Sequence, residues 1–211
     1  MNDPNQLNIY KEEVINHNNN IKIDGLEYFP NFISLQEQKD YIKNIDEDEW
    51  SLELLRRVQH YGYRYDYSRR RVDNSMRIAD PPEWIQKISI QLEKSSVFDE
   101  IPDQVIVNEY EPGQGISNHI DCEPCFTNTV ASLSLGSQCV VNFTNKNDTE
   151  MAVGKVVPFL LEPCSLFVLK NNARYNWMHG IKAVKTDKYF ETTIKRKRRI
   201  SLTFRKVILT D

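Results

Sequence analysis

The sequence predicts an α+β fold in which two helices precede a β-rich core of the sandwich or jelly-roll type. Short apolar segments between turn residues recur across the second half of the chain, and no helical pattern separates them. Such even spacing favours antiparallel strands over repeated strand–helix–strand units. The predicted strands are residues 105–110, 130–135, 139–143, 159–161, 166–169, 177–180 and 199–207.

The length and composition of the chain fit one domain with an N-terminal extension. The chain has 211 residues, a mass of 24.8 kDa, a net charge of −3 and a pI of about 5.9. We expect a polar flexible arm over residues 1–24, an extension with helices and an Arg- and Tyr-rich segment over 25–100, and the β-rich core over 101–211. The net charge excludes a global basic field, so affinity for nucleic acid must come from a local patch.

The chain carries no sign of secretion or membrane insertion. No apolar run approaches the length of a membrane span, and the first residues are too polar for a signal peptide. The four cysteines are too few and too clustered for the disulfide framework of a secreted domain; they are Cys122, Cys125, Cys139 and Cys164. We therefore expect an intracellular protein, cytoplasmic or nuclear, with no membrane partner.

The first half of the chain contains two helical patterns. Ser34 followed by Glu37 is a capping-box pattern, and apolar residues at helical spacing follow it. Residues 83–97, after the break at Pro81-Pro82, predict a second amphipathic helix. Before both helices, residues 26–32 predict a short apolar strand and turn.

Residues 56–71 combine six arginines with four tyrosines and one aspartate. One interpretation is a half-buried strand with tyrosines inward and arginines in water. The other is a surface for single-stranded or flipped bases, because Arg binds phosphate and Tyr offers a flat face on which a base can stack. The candidate substrate residues are Arg56, Arg57, Tyr61, Tyr63, Arg69 and Arg70.

The segment from residue 107 to 121 holds a candidate metal pair. Alternation along the strand at 105–110 places Asn108 and Tyr110 on one face. After a turn, His119 and Asp121 stand two residues apart, so in extended chain both side chains point to the same side. Two His and one carboxylate form the facial triad of non-haem iron(II) oxygenases. His179 is the candidate second imidazole, although by itself a buried structural His fits that position equally well.

The last predicted strand has one apolar face and one face with an arginine at each end. Alternation places Ile200, Leu202 and Phe204 on the first face, opposite the face that carries Arg199 and Arg205. A solvent-exposed polar face would have this pattern. So would a clamp for a small diacid inside a barrel, because Arg binds carboxylates bidentately.

Taken together, these residues resemble the AlkB family of iron(II)/2-oxoglutarate dioxygenases. The resemblance covers about residues 100–208 and rests on the motifs Asn108-x-Tyr110, His119-x-Asp121, His179 and Arg199-x5-Arg205. Residues 108–116, 132–137 and 203–207, together with 56–63, look most like the tRNA-modifying branch, whose members hydroxylate a modified wobble uridine.

The resemblance implies a double-stranded β-helix, or jelly roll, with N-terminal helices and a nucleotide-recognition lid at about residues 50–75. It implies iron(II) bound by His119, Asp121 and His179. It also implies 2-oxoglutarate bound by Asn108, Tyr110, Arg199 and Arg205, with Arg205 near the end that chelates the metal. Dioxygen then oxidises 2-oxoglutarate to succinate and CO2, and an oxygen atom enters a substrate C–H bond.

Two features depart from the family pattern and leave alternatives open. Repair members carry Asn where this chain has Ser201. We expect neither the RNA-binding domain nor the methyltransferase domain of larger relatives, so a separate protein would deliver RNA or methylate the product; a monomer is expected. The alternatives to tRNA hydroxylation are oxidative demethylation of alkylated DNA or RNA bases, hydroxylation of a protein side chain, and an inactive nucleic-acid-binding module.

Two further patterns have plain interpretations beside functional ones. Cys122-Glu-Pro-Cys125 is expected to be a pair of loop thiols, because neither a βαβ setting for redox chemistry nor a second ligand pair for zinc is evident. The basic run at residues 195–199 is either a solvated face or a track for an RNA backbone.

Overall fold

The computed structural model describes residues 17–66, 69–147 and 156–209. Most of the predicted polar arm, residues 1–16, lies outside them, and its end forms a 3-10 helix at Asn18–Asn20. The described residues contain twelve strands and three α-helices, in the order β1 (Leu26–Phe29), α1 (Leu35–Glu47), β2 (Val58–Tyr61), α2 (Glu83–Lys94), β3 (Gln104–Tyr110), β4 (Ile116–His119), β5 (Phe126–Gly136), β6 (Cys139–Asn145), β7 (Val157–Leu161), β8 (Leu166–Leu169), α3 (Asn171–Tyr175), β9 (Trp177–Ile181), β10 (Thr186–Tyr189), β11 (Thr192–Lys195) and β12 (Arg199–Val207).

The strands form two facing antiparallel sheets, which confirms the predicted jelly roll. The larger sheet has the order β1-β8-β5-β12-β3-β2, and the smaller has the order β4-β9-β6-β7. Strands β10 and β11 form a separate hairpin. The sequence did not predict this hairpin, because both strands are short and alternate polar with apolar residues only once or twice.

The N-terminal half of the chain supplies both edges of the larger sheet. Strand β1 pairs with β8, and β2 pairs with β3 along residues 58–61. Covering β3 with β2 places the Arg- and Tyr-rich segment beside the residues that β3 turns toward the interior. The lid and the core therefore share one sheet.

Helices α1 and α2 cover the outer face of the larger sheet. The predicted capping box at α1 is formed: the Ser34 Oγ accepts a hydrogen bond from the Glu37 amide at 3.2 Å, and the Glu37 carboxylate accepts one from the Ser34 amide at 2.7 Å. In α2, Ile85, Ile88 and Leu92 are fully buried against the sheet. Each such side chain stabilises the fold by about 2 kcal/mol.

Strand β12 separates this apolar layer from the interior of the jelly roll. Ile200, Leu202 and Phe204 pack in the helix-covered core, as the alternation predicted. Arg199 and Arg205, with the two small polar residues between them, line a cavity between the sheets. Along the described residues, no helix is both long and apolar enough to cross a membrane.

Candidate active site

The two candidate histidine ligands are directly paired across two strands. His119 on β4 lies opposite His179 on β9, and their ring centroids are 4.5 Å apart. Gly180 makes this close approach feasible, since a Cβ atom there would lie 2.9 Å from the backbone nitrogen of Asn118. The strand pairing therefore brings together two residues that are sixty positions apart in the chain.

Asp121 completes a cluster of three possible ligands. It follows β4 by two residues, and its carboxylate is buried beside the two imidazoles. One ligand atom from each residue lies within 4.8 Å of the others, and the distance from His179 Nε2 to Asp121 Oδ2 is 3.6 Å. Two imidazoles, one carboxylate and open space in the adjoining cavity fit iron(II).

The protonation states in the cluster suit metal binding. Burial lowers the pKa of His179 to about 3, and the neighbouring His119 ring adds to this effect. Burial alone would raise the pKa of the Asp121 carboxyl, but the Arg205 guanidinium and the two imidazoles outweigh it and hold that pKa well below its usual range. A neutral imidazole and an ionised carboxylate are the forms that ligate metals.

Neighbouring groups orient the ligands. The His119 Nδ1 lies 2.9 Å from the Ser117 carbonyl oxygen, which fixes that nitrogen as the donor and leaves Nε2 for a metal. Arg205 donates from Nε and Nη2 to Asp121 Oδ1 at 2.8 and 2.5 Å, so Oδ2 remains directed at the cluster. The buried Arg174 donates to the backbone carbonyls of Asp121 and Cys122 at 3.0 and 3.1 Å.

The far end of the cavity contains a guanidinium that is only partly satisfied. Arg199 is 3% exposed and donates from Nη2 to Ser134 Oγ at 2.9 Å. Its Nε and Nη1 find no hydrogen-bond partner among the described residues. A buried cation with unpaired donors is costly unless an anion binds it. The position therefore fits one carboxylate of 2-oxoglutarate.

The remaining predicted co-substrate residues lie between these two ends. Asn108 and Tyr110 line the cavity, which has a volume of about 800 Å³. The Asn108 Oδ1 accepts a hydrogen bond from Arg56 Nε at 2.8 Å, and the Arg199 guanidinium lies 5.5 Å from the Tyr110 ring centroid. The cavity thus has room for 2-oxoglutarate and for part of a substrate.

The structure divides the six candidate substrate residues into two groups. Arg56 and Arg70 line the cavity. Two further residues on its wall, Leu55 and Tyr65, were not among the candidates. Tyr65 had a usable signal, since it continues the alternation of Tyr61 and Tyr63. No pattern in the sequence selects Leu55, because only the fold places it at the rim of the cavity.

The other four candidates lie away from the cavity. Arg57 pairs with Glu109 and stacks on Trp50, with the guanidinium carbon 4.4 Å from the ring centroid. The Tyr61 hydroxyl donates to Asp48 at 2.7 Å, Tyr63 is buried in a small apolar cluster, and Arg69 is exposed near Asp66. These four positions fit the interpretation of residues 56–71 as a half-buried strand. Their side chains face the helices, the small apolar cluster or solvent and not the cavity.

The expected pair of loop thiols is instead a disulfide between Cys122 and Cys125. The turn after Asp121 brings their Cα atoms to 5.3 Å, a separation that a disulfide spans. Both sulfur atoms lie 3.2 Å from the Arg70 carbonyl oxygen. The disulfide, in the loop that follows Asp121, therefore packs against the backbone of the predicted lid segment at Arg70.

Comparisons with known proteins agree with this geometry. Residues 25–205 match the family model of the 2OG-Fe(II) oxygenase superfamily. An uncharacterized protein of Acanthamoeba polyphaga mimivirus is 33% identical over 190 residues, which are 88% of this chain and 86% of that protein. The structure of OsALKBH1 superimposes with a TM-score of 0.65 at 18% identity, over 88% of this chain and 98% of that one, and shows the same fold.

Two longer relatives carry names that describe their own activities. The Alkylated DNA repair protein ALKBH8 homolog of Arabidopsis thaliana is 33% identical over 89% of this chain and 59% of its own length. The tRNA (carboxymethyluridine(34)-5-O)-methyltransferase alkbh8 of Xenopus tropicalis is 33% identical over 87% of this chain and 32% of its own length. The chain belongs to the 2OG-Fe(II) oxygenase superfamily, whose members use iron(II), 2-oxoglutarate and dioxygen, and it is an AlkB-family dioxygenase near the ALKBH8 branch.

Proposed function

We propose that this dioxygenase hydroxylates a modified wobble uridine in tRNA. His119, Asp121 and His179 would hold iron(II), and Arg199 would bind the distal carboxylate of 2-oxoglutarate. One observation carries the proposal: the three ligands open onto the same cavity as the guanidinium of Arg199, two of whose nitrogens lack a partner among the described residues. A catalytically inactive module would have no use for either arrangement.

The bound cofactor and co-substrate supply oxidative decarboxylation, in which one atom of O2 enters succinate, CO2 leaves, and the other atom enters a substrate C–H bond. The chain's own groups position the reactants. Arg199 would bind the distal carboxylate of 2-oxoglutarate, and Asn108 and Tyr110, which line the same cavity, would contact it. Arg205 keeps the Asp121 carboxylate ionised and oriented.

Two features support a nucleotide substrate. Arg56 and Arg70 bring positive charge to a cavity that Tyr65 and Leu55 also line, so phosphate and base each have a suitable neighbour. The frog relative is named for the methylation of carboxymethyluridine at position 34 of tRNA, so its name points to a modified uridine at the wobble position. Among reactions on nucleotides, Ser201 in place of the Asn of repair members argues against repair.

The test is mass spectrometry of nucleosides from bulk tRNA incubated with the protein, iron(II), ascorbate and 2-oxoglutarate. The proposal expects a uridine derivative heavier by one oxygen atom, with one succinate formed for each product. Loss of a methyl group from an alkylated base instead would indicate a demethylase. Succinate release that responds to a peptide substrate but to no nucleic acid would contradict a nucleotide substrate.

Two adjacent arginines provide a matched test of the substrate contacts. Arg70 lines the cavity, whereas Arg69 is exposed and lies 3.9 Å from Asp66. Arg70→Glu should lower tRNA turnover by about tenfold while 2-oxoglutarate decarboxylation without RNA persists. Arg69→Glu makes the same charge change and should have little effect. Equal losses in both variants would contradict a specific role for Arg70.

A further inference from the structure

The hairpin of β10 and β11 presents a row of lysines that the proposed site does not use. Between residues 182 and 197 the exposed cations are Lys182, Lys185, Lys188, Lys195 and Lys197. Within the described parts of the chain, none of their ammonium groups is ion-paired. The exposed acidic residue in this stretch is Glu191, so five positive charges face one negative charge in a chain whose net charge is −3.

Two of these lysines, Lys188 and Lys195, occupy the outer face of the hairpin for a structural reason. Thr186 pairs with Lys195 and Lys188 pairs with Thr193, and all four side chains are exposed. The alternate residues Tyr189 and Ile194 are buried against β6 and β7. Because side chains alternate along a strand, Lys188 and Lys195 are diagonal neighbours on one surface, about 7 Å apart at the backbone.

A buried ion pair makes this surface rigid. Arg196 is 5% exposed and donates to the Asp187 carboxylate at 2.7 and 2.6 Å. Its Nη1 donates to the backbone carbonyls of Gln114 and Lys182 at 3.1 and 2.7 Å. The hairpin is therefore fixed to the turn before β4 and does not need to order itself when a ligand binds.

The same contacts fix the base of the hairpin next to two residues that line the cavity. Gly115 and Ile181 line the cavity, and they directly follow Gln114 and precede Lys182 in the chain. Lys182 lies three residues after His179, which corresponds to about 10 Å of extended strand. At the tip of the hairpin, Phe190 is 53% exposed, and its ring centroid lies 4.5 Å from that of His17. Exposed aromatic rings among cations are typical of surfaces that bind single-stranded nucleic acid.

We propose that the lysine face of this hairpin binds the phosphodiester backbone of the RNA strand that carries the substrate nucleotide. The inference rests on the proposed function and adds a second contact region outside the cavity. A polyanion fits because the described residues from 182 to 197 offer five exposed ammonium groups against one exposed carboxylate, that of Glu191. Lysine binds phosphate as a point charge, so the contact should depend on salt and tolerate any base sequence.

The test is a binding titration of an anticodon stem-loop RNA with the full chain at several salt concentrations. The double variant Lys188→Glu/Lys195→Glu should raise the dissociation constant by about tenfold. It should also reduce the slope of log affinity against log salt by about 1.4, which is two contacts at about 0.7 each for a single strand. Lys188→Gln/Lys195→Gln should move both quantities in the same direction by less.

The matched control is Lys39→Glu/Lys94→Glu. Both residues are exposed on α1 and α2, on the side of the larger sheet away from the cavity, so RNA affinity should not change. Unchanged affinity and salt slope in the hairpin variants, or equal losses in the control, would overturn the proposal. So would wild-type protein whose RNA affinity does not depend on salt.

Turnover separates this proposal from the proposed function. If the hairpin variants lose RNA affinity while no nucleoside is ever oxidised, the hairpin binds RNA and the proposed reaction is wrong. If tRNA is hydroxylated and the variants show wild-type affinity and KM for tRNA, the reaction is correct and the hairpin proposal is wrong. Succinate release without RNA should be unaffected in all of these variants, since none of the changed residues lines the cavity.

Discussion

Arg199 and Arg205 lie on the same face of β12, as the alternation predicted, but they differ in how fully their guanidinium groups are hydrogen-bonded. Both point into the cavity and lie six positions apart. Arg205 is engaged, with two hydrogen bonds to the Asp121 carboxylate and a third to Gln104 at 3.1 Å. Arg199 makes one hydrogen bond to a serine hydroxyl, and two of its nitrogens lack a partner among the described residues.

The difference teaches which charge is available to bind a ligand. The Asp121 carboxylate already neutralises the positive charge of Arg205. In return, Arg205 keeps that carboxylate ionised and oriented toward the two histidines. Arg199 retains its charge in a buried place, which favours an incoming carboxylate over water. A symmetrical clamp with one arginine for each carboxylate of the co-substrate is therefore too simple a description of this face.

The largest expected effect comes from replacing Asp121, the carboxylate that Arg205 holds in place. In Asp121→Asn, the amide oxygen can still accept from Arg205, so the amide nitrogen would face the histidines, where it cannot ligate a metal. We expect succinate release from 2-oxoglutarate to fall by about a thousandfold or more, with near-UV circular dichroism unchanged. Substantial residual turnover would show that Asp121 is not a ligand.

Arg199→Lys should have the next largest effect. Lysine keeps the charge but loses the two-pronged geometry, which is worth about 2.7 kcal/mol if two charge-assisted hydrogen bonds are weakened. The KM for 2-oxoglutarate should therefore rise by about a hundredfold, while iron(II) affinity stays the same. A fall in iron affinity with an unchanged KM would reverse the roles assigned to the two arginines.

Arg198, the residue before Arg199, points away from the cavity and provides a third case. Together with Arg57 it donates to the buried Glu109. Burial raises the pKa of the Glu109 carboxyl, but hydrogen bonds from Arg57 and Arg198 outweigh it and lower that pKa. Glu109→Gln should lower the free energy of unfolding by about 2 kcal/mol near pH 7.

The pH dependence of that loss follows from the depressed pKa. The contribution of Glu109 is present above the pKa of the unfolded chain, about 4.3, and disappears as the pH falls through the lower pKa of the folded state. Urea unfolding should therefore show the wild-type and Glu109→Gln curves converging below about pH 4. A difference in the free energy of unfolding that stays the same at every pH would mean that the ionised form of Glu109 adds no stability.

Arg205→Lys should have the smallest effect of the four. A lysine retains the charge near Asp121 but orients the carboxylate with fewer hydrogen bonds. We expect iron(II) affinity to fall by about tenfold, as measured by metal titration, with little change in the KM for 2-oxoglutarate. An effect on 2-oxoglutarate alone would mean that Arg205 binds the co-substrate directly.

The sequence predicted most core strands well because each is a short apolar or alternating segment between turn residues. Strands β8 and β12 begin and end where the pattern placed them, and α1 begins after its capping box. The sequence did not predict the hairpin of β10 and β11, because its strands are short. The buried ion pair between Arg196 and Asp187 stabilises it. No local pattern indicates that two charged residues nine positions apart will be buried together.

The segment at residues 56–71 shows the same limit. Its composition left open a half-buried strand or a base-binding surface, the family resemblance implied a nucleotide lid, and two of its six candidate residues line the cavity. Arg56 and Arg57 are neighbours of one type, yet one reaches Asn108 in the cavity and the other reaches Glu109 on the opposite side of β3. The direction of each side chain depends on the pairing of β2 with β3, which the composition of the segment does not specify.

The sequence by itself determined the jelly-roll class, the residues able to bind metal and the two arginines of β12, because residue type and period-two alternation are local properties. Only the tertiary structure decided that His119 lies opposite His179 and that Arg205 hydrogen-bonds the Asp121 carboxylate. It also decided that Nε and Nη1 of Arg199 have no partner among the described residues. These relations depend on strand register and on which donors find acceptors in the packed interior, and both are settled when distant parts of the chain meet.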